Sequence, residues 1–159
     1  MTRALIVTPL LVLLLAACAP GALGDRGNPF DLRRDGAVRV SPGGSAFMRI
    51  SYPTGAFGLA RDAFADAFAV PLGAGGRGAR VTSSFELLDV AAPPGWRWTL
   101  DDVWSESRAG VPPALVVTLR LDVPQDARLG GQAIGATLRA KPSGGRESVS
   151  VVVQVVPRP

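Results

Sequence analysis

Three groups of side chains here are of types that do chemistry. The first is Cys18, the only thiol in a 159-residue chain, at the end of an apolar run that begins at Ala4. A thiolate is a nucleophile and a site of alkylation or oxidation, but a single cysteine can form no internal disulfide. The chain has no histidine, so the usual general base for a Ser or Cys nucleophile is missing, as is the commonest zinc ligand. A Ser–Lys dyad would have to use Lys141, the single lysine, which reads as part of a hairpin turn. The second group is the tight acidic cluster Asp101, Asp102 and Glu106. Carboxylates held about 5–10 Å apart across a sugar hydrolyse glycosides, and oxygen-rich clusters bind calcium. With no longer constellation around it, this trio reads as solvated turn charge, so no enzyme, metal centre or cofactor is expected. The third group is Trp96, Trp98 and Trp104. Large aromatics anchor binding surfaces, yet the same rings, burying about 150–250 Å² each, fill the space between sheets. Trp96 and Trp98 read first as core; Trp98 and Trp104, with Asp102 and Glu106, are the possible ligand surface.

The elements that position these groups begin with a secretory layout. Met1-Thr2-Arg3 carries one positive charge, Ala4 to Ala17 is apolar, and small residues precede Cys18. A bilayer span needs about 20 apolar residues, and this run is shorter and contains Pro9. Leu15-Ala16-Ala17-Cys18 resembles the lipobox of bacterial lipoproteins. That resemblance implies cleavage between Ala17 and Cys18, diacylglycerol on the Cys18 sulfur, and attachment to the cell envelope facing away from the cytoplasm. Ala19 stands where the inner-membrane retention signal has Asp, which favours the outer membrane by analogy.

Residues 19–36 are rich in Gly, Pro and Asp and read as a flexible tether. As a coil of 18 residues it would reach about 25 Å, with Phe30 and Leu32 able to dock and shorten it. The formal charge is +4, but the arginines are scattered among acids, as in Asp31-Leu32-Arg33-Arg34-Asp35. A nucleic-acid binder concentrates its basic residues, so that partner is excluded. Arg26, Arg33 and Arg34 lie near the anchor and favour weak attraction to anionic lipid.

From Ala37 onward short alternating runs are separated by Gly/Pro turns. Val38 and Val40 form one strand; Ala46, Met48, Ile50 and Tyr52 share a face of the next. Residues 53–80 are less regular: Phe64 and Phe68, with Asp62 and Asp66, have the spacing of a short amphipathic helix, and an irregular excursion is the alternative. Gly73 to Gly78 spells G-x-G-x-x-G, but no helix start or spaced acid follows, so it reads as a glycine loop. Further strands follow at 81–90 and 96–100, then at Leu115–Val123, Ile134–Leu138 and Val149–Val155. The half from Phe85 to Val156 resembles the immunoglobulin-like domain that accompanies α-galactosidases and other secreted glycosidases (the NPCBM-associated family). The resemblance rests on Ala92-Pro93-Pro94-Gly95-Trp96, the long alternating strand, Val123-Pro124-Gln125-Asp126-Ala127, Gly130 and the final valine-rich strand. It implies a non-catalytic accessory module.

The expectation is an all-β protein, an immunoglobulin-like β-sandwich of about seven strands. The sandwich occupies 37–157, with an insertion at about 53–80, behind a signal peptide (1–17) and a lipidated tether (18–36). The expected partners are the membrane, through the lipid on Cys18, and an envelope protein. The alternative to the latter is a cell-wall glycan bound on exposed tryptophan.

Overall fold

Period-two alternation of valine and leucine gives each strand one apolar face, and two such sheets can hide those faces only against each other. A computed structural model of the chain describes residues 23–53, 55–60, 63, 66, 76–108 and 111–158. The described strands are β1 (Phe30–Asp31), β2 (Ala37–Val40), β3 (Ser45–Pro53), β4 (Gly76–Arg80), β5 (Phe85–Ala91), β6 (Arg97–Arg108), β7 (Val111–Asp122), β8 (Gly130–Ala140) and β9 (Arg146–Val155). They form a five-stranded sheet, β1-β3-β7-β6-β4, and a four-stranded sheet, β2-β9-β8-β5. The protein is an all-β sandwich.

The core is the one the alternation called for. Leu115, Val117, Leu119 and Leu121 of β7 are buried, facing Ile134, Ala136 and Leu138 of β8 and Val149, Val151, Val153 and Val155 of β9. Each such side chain taken from water contributes about 1.5–3 kcal/mol. Phe47 and Arg49 of β3 and Arg120 of β7 take the opposite face.

Nine strands replace the expected seven, because β1 and β4 are too short or too glycine-rich to show a periodic pattern. β1 also alters the tether. From Leu23 the chain is folded onto the sandwich: the Phe47 N–H donates to the Gly24 carbonyl at 2.7 Å and the Leu32 N–H to the Arg49 carbonyl at 2.9 Å. Phe30 is 4% exposed within the core, and β1 runs parallel to β3. Gly, Pro and Asp make turns as readily as linkers, and burial of Phe30 together with these backbone hydrogen bonds favours the ordered segment. β1 joins one sheet and β2 the other, with β2 parallel to β9, so the N-terminal stretch laces the two sheets together. Residues 1–22, which hold the expected signal peptide with Ala17 and Cys18, lie outside the described residues.

The expected insertion is part of the sandwich at both ends. Ala56–Gly58 forms a 3-10 turn that drives Phe57 into the core, where it is 1% exposed. At the other end, Gly76–Gly78 of the glycine-rich stretch belongs to β4. Asp62, Phe64 and Phe68 lie outside the described residues, while Ala63 and Asp66 are helical.

Phe57 stacks between Tyr52 and Phe85, with ring centroids 5.1 and 5.3 Å away. The Tyr52 hydroxyl is buried and finds no hydrogen-bond partner among the described residues. Burial first, and Glu147 second, push its pKa up to about 12, with Arg33 acting in the other direction. The unfolded chain loses this proton near pH 10.0 and the folded one holds it to about 12. Stability from this group is therefore intact below pH 10 and is lost as pH rises through that window, by roughly 2–3 kcal/mol in all. Tyr52→Phe removes an unsatisfied polar atom and leaves the ring. It is expected to gain up to about 1 kcal/mol at pH 7 and to flatten the alkaline decline, read by urea unfolding at pH 7 and pH 11.

Candidate functional site

β6 carries all the residues singled out as a ligand surface, and a β-bulge decides which of them reach the same place. Leu100 pairs with Leu119 and Asp102 with Thr118, leaving Asp101 as the extra residue. A bulge sets two consecutive side chains on one side and reverses the alternation beyond it. Trp98, before the bulge, points into the core at 4% exposure; Asp102, Trp104 and Glu106, after it, take the outer face. Trp98 is thus removed from the candidate surface. Its indole N–H is buried and has no hydrogen-bond partner among the described residues.

Asp101, Asp102 and Trp104 line a cavity of about 450 Å³ on the outer face of the five-stranded sheet, with Arg26, Arg49 and Arg80. Its charges are satisfied internally. The Arg26 guanidinium meets Asp101 at 3.1 Å, Arg80 meets Asp102 at 2.9 Å, and Arg49 meets Asp31 at 3.3 Å. Asp102, 6% exposed, also accepts from the Thr82 hydroxyl at 2.8 Å, and the Val103 N–H donates to the same hydroxyl at 2.9 Å. Asp102 therefore ties Arg80 of β4 and the Thr82–Ser84 turn that precedes β5 to β6, and it is a strand residue, not the solvated turn charge expected.

Glu106 sits four strand positions from Asp102 on the same face. At about 3.3 Å per residue their backbones are roughly 13 Å apart. Among the described residues no group of three or more metal-ligating side chains is placed to hold an ion. None of their helices is long and apolar enough to cross a membrane.

At the end of the same face Asp122 accepts hydrogen bonds from Ser45 and from Arg120. Burial raises its carboxyl, but Ser45, Arg120 and the nearby Arg97 charge outweigh it and the net shift is downward. Stability from this group is present above the ordinary carboxylate range and is lost as pH falls through the lower folded value.

Trp96, expected as a core residue, packs against the core from its rim. It is half-buried and lines a second cavity, of about 370 Å³, with Pro93, Pro94, Pro124, Asp126, Arg128 and Gln132. Two turns supply this cleft. The Trp96 N–H closes the first on the Pro93 carbonyl at 3.1 Å, and the Ala127 N–H closes the second on Pro124 at 3.2 Å. Both turns were visible as Pro-rich motifs; that they face one another was not. No family model matches the chain, and no curated protein sequence matches it.

Proposed function

We propose that this chain is a bacterial envelope lipoprotein whose β-sandwich is a non-catalytic interaction module. The supporting observation is an apolar run ending in Leu15-Ala16-Ala17-Cys18, directly ahead of a body that is folded from Leu23 onward. In this reading residues 1–17 are removed and Cys18 carries diacylglycerol. Five residue steps separate Cys18 from Leu23, and that length of chain spans at most about 18 Å. The sandwich is then held against the headgroups rather than clear of them, with Arg26, Arg33 and Arg34 near the surface. Its immunoglobulin-like body contacts another envelope protein, and Ala19 directs it to the outer membrane. The test is metabolic labelling with an alkyne fatty acid. The native protein should carry label that survives delipidation of the sample, and unlabelled protein in the producing bacterium would end the proposal.

A cell-wall glycan is the second reading, favoured by the half-buried Trp104 beside paired carboxylate and guanidinium groups. Titrating the tryptophan fluorescence with envelope polysaccharide distinguishes the two. A saturable shift that Trp104→Phe abolishes supports glycan binding at this face, and a flat response leaves the protein-interaction role.

A further inference from the structure

We propose that the cleft between the turns Pro93–Trp96 and Pro124–Arg128 binds a neutral saccharide ring, with Trp96 as its stacking platform. The inference goes beyond the glycan reading, because it places the sugar at a site other than the Trp104 face, and it stands whether or not Cys18 is acylated.

Three features of the cleft carry it. First, its polar groups are available. On the outer sheet face each of the three arginines is already matched to an aspartate. Among the described residues no side-chain hydrogen bond or ion pair engages Asp126, Arg128 or Gln132, although all three line the cleft with Trp96. They offer carboxylate acceptors, guanidinium donors and an amide that does both, the set that vicinal hydroxyls require. Second, the charges cancel. One Asp and one Arg leave the lining neutral, which favours an uncharged polyol over a phosphate, a carboxylated sugar or a basic peptide. An aromatic platform next to polar groups matches a pyranose, which presents an apolar C–H face and a hydroxylated edge.

Third, the walls are pre-formed. Three prolines fix backbone angles on both sides. The two turns also abut: Gly95 has φ 81°, and a Cβ there would meet Pro124 Cγ at 3.4 Å. The Gly43 N–H ties the second turn to the β2–β3 turn through the Pro124 carbonyl at 3.0 Å. A cleft that needs no ordering on binding loses little conformational entropy to its ligand. The volume of about 370 Å³ lies within the range of small-molecule sites.

The experiment is calorimetric titration of the full chain in detergent with cellobiose and with N,N′-diacetylchitobiose, alongside glucuronic acid. At least one neutral disaccharide should bind with 1:1 stoichiometry, and glucuronic acid should bind at least about tenfold more weakly. Trp96→Ala should weaken the neutral sugar at least about tenfold, whereas Trp104→Phe should leave it unchanged. Because Trp96 also packs on the core, Asp126→Asn and Gln132→Ala provide a second arm. Each lies outside the apolar interior and should weaken binding severalfold with the melting temperature preserved. The proposal is overturned if neither disaccharide binds, or if the charged sugar is preferred. It is equally overturned if binding follows Trp104 instead of Trp96, or if a proline-rich peptide but no sugar occupies the cleft.

Discussion

Replacing Phe57 with Ala is expected to lower the stability of the sandwich by about 3–5 kcal/mol, a large share of the roughly 5–15 kcal/mol that holds a domain folded. Phe57 has φ 61°, in the left-handed region that L-residues avoid. That conformation costs about 1–3 kcal/mol at a non-glycine position, so the surrounding structure must outweigh it. It does so through the ring, which is 1% exposed between Tyr52 and Phe85. It also does so through the backbone: the Phe57 N–H donates to Glu147 at 3.1 Å, and the Ser143 hydroxyl donates to the Phe57 carbonyl at 2.9 Å. The hairpin between β8 and β9 is shaped to receive it. At Gly145 a Cβ would sit 1.8 Å from the Phe57 carbonyl oxygen, a separation no side chain tolerates. Gly145→Ala should therefore be as costly as Phe57→Ala. In the double variant the penalties should fall short of their sum, since both dislodge the same contact. Urea unfolding followed by circular dichroism reads all three. A loss below about 1 kcal/mol for either single variant would show that this turn does not plug the core.

The second large effect concerns attachment. Cys18→Ser is expected to abolish fatty-acid labelling and to leave residues 1–17 uncleaved by the lipoprotein signal peptidase, so that the chain accumulates as a heavier, unlabelled precursor. A single acyl chain binds a bilayer only marginally, at about 0.8 kcal/mol per buried CH₂, while two make dissociation negligible. Without the sulfur that would carry both chains, the variant is left with the uncleaved apolar run and with Arg26, Arg33 and Arg34, which contribute about 1 kcal/mol each near an anionic surface. The readouts are the fatty-acid label and the apparent mass of the chain. The folded body should be unaffected, because it is built from Leu23 onward. A Ser variant that still carries label, or that is processed to the native mass, would refute the lipid anchor.

Much of the architecture was legible in the residues. Leu115 to Val123 and Val149 to Val155 alternate so regularly that one face of each had to be interior, and those faces are buried. Gly/Pro punctuation located the turns between them. Two strands escaped notice for a physical reason: β1 spans only Phe30–Asp31 and β4 is Gly76–Arg80, and neither presents enough apolar residues to set a period. Their place depends on partners distant in sequence, β3 for one and β6 for the other.

The candidate sites divide in the same way. By itself the amino-acid order determined the residue types: one cysteine behind an apolar run, no histidine, three tryptophans and a small acidic cluster. Side-chain direction in a strand follows a parity that one extra residue reverses, and the bulge at Asp101 is a property of β6 paired with β7, not of either alone. Only the tertiary structure could send Trp98 inward, bring Asp102 to Arg80 and Thr82, and set the Pro93–Trp96 turn against Pro124. Those placements depend on contacts between segments that local propensity does not encode.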